Sequence, residues 1–389
     1  MITYHHIFFA LLFSFILLGF ASCKNGSPAA SEPIAEDDYP YPAGRIYLSH
    51  LPVDTDRVDG FLGLGNMNVL PEDHGGFFTP RDGWYEEPLI PVYAPADGKI
   101  VEIIKDWYEW FAPYGDDYSV AIKVSTTMTV SFGHMSDLAP RILEAAGELQ
   151  TGYAIPNRVD IEVEAGEIIG YIGTQGALDW YIRDSELELD FENPDRYPLP
   201  WLISGCYHDY YRGANLTRLS DITLRSAEPR CGKIDFDVEG RIAGNWFWED
   251  EVPEYAFNDY TTHLAIAYDE FFGYERIVIS DGYAGRPESP HEGDERFTMG
   301  SGRPFWVKNN SPLPEGVGIS EGMIKYEIMD RSYGSISPGF TVPDIDNLPV
   351  AGVFLVEMLD ESRIRVERFM NRTADEVDGF GVNARVYVR

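Results

Sequence analysis

At 389 residues, 44% hydrophobic and 14% aromatic, the chain can bury a substantial core and is long enough for two domains, which excludes a disordered polypeptide. Its 64 acidic and 30 basic residues give a formal charge of −34, which argues against a nucleic-acid partner because phosphate binding needs a cationic face. The acid is scattered rather than blocked, the pattern of a generally solvated surface rather than of a dedicated acidic face.

Residues 1–23 read as an export signal. An apolar run from Ile7 to Phe20, short for a membrane span, is followed by small Ala21 and Ser22 and then Cys23. This ending resembles the lipobox of bacterial lipoproteins, with Phe20 where leucine is usual. Cys23 is therefore the expected lipidation site, with ordinary cleavage after Ala21 as the alternative. Either outcome predicts an exported chain, and the first predicts lipid anchoring in the bacterial cell envelope, at the outer membrane or in the periplasm. The low-hydrophobicity stretch 24–44 reads as a tether.

A first domain is expected over 45–202, organised by two related phrases, PVYAPADGKIVEI from Pro91 and VEAGEIIGYIGTQG from Val163. Each sets a Gly in a tight turn and follows it with alternating β-branched residues, as a half-buried strand leaving a positive-φ turn would. Between them KDWYEWFAPYGDDY (105–118) reads as an aromatic loop. Trp107 and Trp110 could stack on sugar rings or meet a protein there, and the alternative is a loop folding its rings over the sheet edge. Residues 138–152 carry apolar residues near helical spacing and predict a short helix.

The two phrases, with YSVAIKVSTTMTVSFGHMSDL (118–138) between them, resemble the core of the lysostaphin-like (LytM-type) zinc endopeptidases. The resemblance covers about 120 residues and implies a duplicated hybrid motif, a β-rich barrel-sandwich. In active members it also implies a zinc-bound water that cuts peptide bonds in peptidoglycan, held by three ligands and handled by a histidine pair. The family's His-x-Gly-x-Asp falls on His74 to Phe78, so His74 matches a ligand and Phe78 replaces the carboxylate. The closing His-Leu-His-Phe falls on Ala177 to Trp180, so Ala177 replaces a catalytic histidine and Asp179 a ligand histidine. His134 matches the family's other catalytic histidine. Metal ligands at His74 and Asp179 and a catalytic His134 are thus expected as vestiges, with no cofactor as the leading expectation and zinc as the alternative. A longer spacing from His74 to Pro91 leaves room for Asp73, Asp82 or Glu86 and Glu87 to substitute as ligands. Lipoyl and biotinyl carriers share the Gly-turn phrases but need a modifiable lysine, and none occurs from Val124 to Gly232.

The connector 203–232 holds Cys206 and Cys231, expected to form a disulfide worth roughly 3 kcal/mol by chain entropy. From 233 to 389 strand patterns predominate: KIDFDVEGRIAGNWFW, THLAIAYDEF, ERIVISDG, MIKYEIMD, a hairpin around Asp360-Glu361-Ser362, and ARVYVR. An antiparallel barrel or sandwich is expected. Gly244-Asn245-Trp246 with Arg385 or Arg389 resembles the Gly-x-Trp and closing arginine of lipocalin-like barrels, which implies a Trp packed under the arginine. The segment from Asp235 imitates a calcium loop, but its twelfth position is Trp246 where a bidentate Glu is required.

These readings predict a mainly β envelope lipoprotein. Its degenerate peptidase-like domain would be a binding or regulatory module for peptidoglycan or an envelope protein. The alternatives are a residual zinc endopeptidase and a carrier of small apolar ligands in the second domain.

Overall fold

A computed structural model describes residues 39–80, 89–106, 116–152, 155–173, 176–250, 262–282, 303–331 and 345–389. Cys23, Trp107, Trp110, Asp82, Glu86 and Glu87 lie outside these residues.

The chain is mainly β. Its first half contains β1 (Gly60–Leu62), β2 (Gly75–Phe78), β3 (Ile90–Tyr93), β4 (Gly98–Asp106), β5 (Asp117–Lys123), β6 (Met128–Met135), β7 (Asp137–Leu138), β8 (Pro156–Val163), β9 (Ile168–Ile172) and β10 (Ala177–Asp184). They form a seven-stranded sheet, β1-β2-β10-β6-β5-β4-β8, and a three-stranded sheet, β3-β9-β7. The two turn phrases pair with each other, since β3 lies against β9 and β4 against β8. Their glycines differ in role. Gly166 has φ +82°, as a tight turn requires. Gly98 is outside the left-handed region, contrary to expectation, and is needed for a close approach: a Cβ there would stand 2.4 Å from the Lys123 carbonyl oxygen. The expected short helix is α1 (Pro140–Ala146), with Pro140 in its first turn and Ile142 buried.

α2 (Leu199–Leu202) closes the first domain, and the connector that follows carries α3 (Gly213–Ile222) and docks on the large sheet. Cys206 and Cys231 are bonded, with Cα atoms 5.4 Å apart. Tyr207 Oη donates to the Trp180 carbonyl and accepts from the Gly75 amide, both at 2.5 Å, tying the connector to β10 and β2.

The second half is a closed barrel of β11 (Gly244–Trp248), β12 (His263–Asp269), β13 (Gly273–Asp281), β14 (Arg303–Val307), β15 (Ile324–Asp330), β16 (Val350–Asp360), β17 (Arg363–Met370) and β18 (Arg385–Val388). Each strand pairs antiparallel with the next, and β18 closes on β11. Closure removes the sheet edges that a sandwich would leave, so the barrel alternative is the one realised. The Arg389 guanidinium lies 3.8 Å from the Trp246 ring centroid, the packing the lipocalin-like resemblance implied, while Arg385 lies over Trp248. Gly244 has φ +116°, and a Cβ there would stand 2.1 Å from Asp237 Oδ1 and 2.6 Å from the Asp237 Cα, so only glycine fits there.

Two strand expectations need correction. The first barrel strand begins at Gly244, not Lys233. Residues 233–240 instead form an unpaired connector in which the Asp235 and Asp237 carboxylates accept the amides of Asp190, Glu192 and Asn245. β14 was not foreseen, because its RPFWV run is short and carries a proline.

One hydrophobic cluster runs from the first sheets into the barrel. Polar contacts accompany it: Arg225 Nη1 donates to the carbonyls of Asp269 and Glu270 at 3.0 and 2.9 Å, and Ser280 Oγ donates to the Asn68 carbonyl.

Candidate functional site

Strand alternation sorts the large sheet into two faces. Phe77, Val120, Phe132 and Trp180 point into the core, with Phe77 stacked on Trp180 at 5.3 Å. The opposite face receives Asp179, Tyr181 and Arg183 from β10, which lie two residues apart. His134 joins that face through a bulge: two residues of β6, Gly133 and His134, oppose Ser119 alone on β5, and His134 takes φ +61°. A non-glycine residue in that region is uncommon, and here it re-aims the imidazole toward Asp179.

The three residues foreseen from the sequence come together. His134 Nε2 lies 3.4 Å from Asp179 Oδ2, and His74 Nε2 lies 3.7 Å from the same oxygen. All three are buried. Around them stand three carboxylates, of which the sequence had singled out only Asp73. His134 Nδ1 meets Asp117 Oδ2 at 3.0 Å, and His74 Nε2 lies 3.8 Å from Glu72 Oε2. Asp73 Oδ1 lies 3.1 Å from His74 Nδ1, while its other oxygen takes Arg183 Nη2 at 2.5 Å. Asp73 is therefore engaged as an ion-pair partner rather than as a replacement ligand. Glu72 was legible only as the start of the Glu-Asp-His run, and Arg183 only by its spacing from Asp179.

The charges follow from this geometry. Burial alone would push both imidazoles down, but the carboxylates outweigh it. Asp117 and Asp179 bring His134 up to about 10, and Asp179 with Asp73 brings His74 up to about 9. Burial raises Glu72 to about 7 against the pull of His74 and Asn66. Asp73 is pushed up by burial, yet Arg183 and His74 hold it below the usual carboxylate range. Glu72, His74 and His134 all have folded values above their ordinary ones. Their contribution to stability is therefore complete at low pH and is lost as pH rises through those values. Urea midpoints are expected to fall from pH 6 to pH 9, and the slope should flatten in a His74→Gln/His134→Gln variant. A midpoint that is constant or rises over that window would contradict the ion-paired cluster.

The two positions that depart from the family pattern are found together. Phe78 pairs with Ala177 across β2 and β10. Both lie in an apolar cluster with Leu62 and Phe271, the last contributed by the β12–β13 turn of the barrel. Where the resemblance calls for a carboxylate ligand and a catalytic imidazole, the chain has a buried hydrocarbon contact to which its own second half contributes Phe271. Among the described residues no group of three or more His, Cys, Asp or Glu side chains is arranged to hold a metal ion. The donors present do not fit the zinc site that the family implies. Elsewhere, His263 is buried edge-on against Phe247 in the barrel wall.

No protein-family model matches the chain, and no curated protein matches it significantly. Among solved structures, a zinc-containing peptidase from Vibrio cholerae is similar over 37% of this chain and 38% of its own, at 19% identity and a TM-score of 0.22. A mutant catalytic domain of the prophage-encoded M23 protein EnpA from Enterococcus faecalis is similar over 39% of this chain and 85% of its own, at 17% identity and a TM-score of 0.16. At these scores neither structure gives a role to any residue of this chain.

Proposed function

We propose that the first domain is a non-catalytic binding or regulatory module on a peptidase-like frame, within an exported, lipid-anchored envelope protein whose partner is peptidoglycan or another envelope protein. The observation that carries this reading is the Phe78, Ala177 and Phe271 contact. Phenylalanine cannot coordinate a metal and alanine cannot shuttle a proton, so both ends of the hydrolytic machinery are replaced, not merely displaced. The experiment is incubation of the purified chain with peptidoglycan and zinc. No metal-dependent release of cross-link peptides is expected. Release that disappears in His74→Ala would overturn the proposal.

A second reading, a residual zinc hydrolase, draws on the convergence of His74, Asp179 and His134. Metal analysis of the protein as isolated separates the two, since that reading requires stoichiometric zinc. The lipid anchor at Cys23 is a separate element of the proposal, checked by mass spectrometry of the mature amino terminus.

A further inference from the structure

The loop 63–73 carries Glu72 and Asp73 to the histidine cluster, yet its tip is held by the other half of the molecule. Its outgoing arm runs along the connector, where the Leu64 amide donates to the Cys231 carbonyl at 2.7 Å. The approach is so close that a Cβ at Gly63 would stand 2.1 Å from that same oxygen. The returning arm pairs with the outgoing one, the Glu72 amide donating to the Asn66 carbonyl at 2.9 Å and the Gly65 amide to the Glu72 carbonyl at 2.8 Å. The barrel meets the tip. Buried Ser280 of β13 donates its hydroxyl to the Asn68 carbonyl, and Arg331, itself paired with Asp269 and Glu270, lies with Nη1 3.5 Å from the Met67 carbonyl.

These contacts form an unbroken chain from the barrel to the cluster. Ser280 fixes the Asn68 backbone, and the Asn68 and Asn66 side chains donate to the two Glu72 carboxylate oxygens at 3.4 and 2.7 Å. Glu72 Oε2 in turn lies 3.8 Å from His74 Nε2. Glu72 is thus positioned by asparagines of its own loop, and the loop by the barrel. Surface loops usually open at low cost because few buried contacts hold them. This one is different: Val69 and Leu70 at its tip are each 1% exposed.

We propose that the loop 63–73 is a conformational link through which the barrel sets the histidine cluster: gripped at its tip it holds Glu72 against His74, and released it withdraws Glu72. The physical warrant is one element that both ends of the molecule bias. For the binding role given above, on which this consequence alone rests, a partner that displaces Glu72 also loosens the barrel's grip, because coupling between two sites is reciprocal.

The test is hydrogen exchange of the full chain, followed by mass spectrometry, in the parent and in two barrel variants, Ser280→Ala and Arg331→Lys. Loss of the Ser280 hydroxyl should speed exchange in the segment 64–73 by about fivefold, the equivalent of one ordinary hydrogen bond, while β16 and β17 are unchanged. Arg331→Lys keeps the charge beside Glu270 but lacks the fork that reaches Met67, and should act in the same direction; either variant decides the matter where the other impairs folding. Urea unfolding supplies a second reading, since the factor by which Glu72→Gln changes the unfolding constant should shrink in the Ser280→Ala background. Loop exchange that is unchanged, loop exchange that rises no more than that of β16 and β17, or a Glu72→Gln factor equal in both backgrounds would each overturn the proposal. No partner or metal enters these measurements, so their failure is distinct from failure of the binding role, which appears as metal-dependent hydrolysis.

Discussion

Replacing Phe78 with aspartate, the residue type the lysostaphin-like pattern calls for, is expected to destabilise the chain by about 3–5 kcal/mol, the usual result of leaving a buried charge without a partner. The surroundings decide the sign. Leu62, Ala177 and Phe271 pack around the Phe78 ring and offer a carboxylate neither a cation nor a hydrogen-bond donor from their side chains. The histidine that would share a metal with it is already held between Asp73, Asp179 and Glu72. One substitution therefore removes an aromatic contact to the barrel and adds a charge without building a ligand set. Urea denaturation and a zinc titration of the same variant measure both halves of the expectation. Phe78→Leu, which keeps the site apolar, should cost much less. A Phe78→Asp protein within about 1 kcal/mol of the parent by urea denaturation, an error-sized change against the expected loss, or one that takes up stoichiometric zinc, would overturn this expectation.

Loss of the Arg389 guanidinium is the second large effect expected, about 3–5 kcal/mol for Arg389→Ala, since hydrogen bonds made by a charged group are worth about 1.5–3 kcal/mol each and more than one is lost. This side chain does several jobs at the point where the barrel closes. It lies over Trp246 and donates to the carbonyls of Val238, Ala243 and Asn245. It also tempers the effect of burial on Asp237, whose carboxyl burial pushes above its usual range. Alanine would leave those carbonyls short of a donor, the indole face uncovered and Asp237 without its nearby cation. Lysine should recover only part of the loss, because an ammonium cannot reproduce the planar fork that reaches three carbonyls at once. Equilibrium unfolding followed by tryptophan fluorescence gives the magnitude. A loss under about 1 kcal/mol, the size of a single ordinary hydrogen bond, would mean that strand pairing alone closes the barrel.

Much of the fold was legible because it depends on local pattern. The alternation in the two turn phrases marked β4 and β9, and the Asp360 to Ser362 turn marked the β16–β17 hairpin. The Gly244 to Trp246 motif, with an arginine at the other end of the second domain, anticipated a contact between the first and last barrel strands. β14 escaped because its proline argues against a strand, yet Arg303–Val307 pairs on both sides. Residues 233–240 misled in the opposite direction, since alternation there reflects carboxylates turned toward backbone amides rather than a sheet.

At the candidate site the sequence by itself determined what two of the positions cannot contribute. Phe78 and Ala177 have no polar atom in their side chains, and no fold can restore one. It also named His74, His134 and Asp179, whose convergence follows from β2, β6 and β10 being neighbours in one sheet. Only the tertiary structure decided what surrounds them. Asp117 reaches His134 because a bulge turns His134 to the face opposite the core, and Arg183 reaches Asp73 from far along the chain. Phe271 arrives from a different half of the molecule altogether. The physical reason is that side-chain type is a local property, whereas burial, ion pairing and the closing of a cleft depend on contacts between distant segments, which become visible only once the sheets and the barrel have packed.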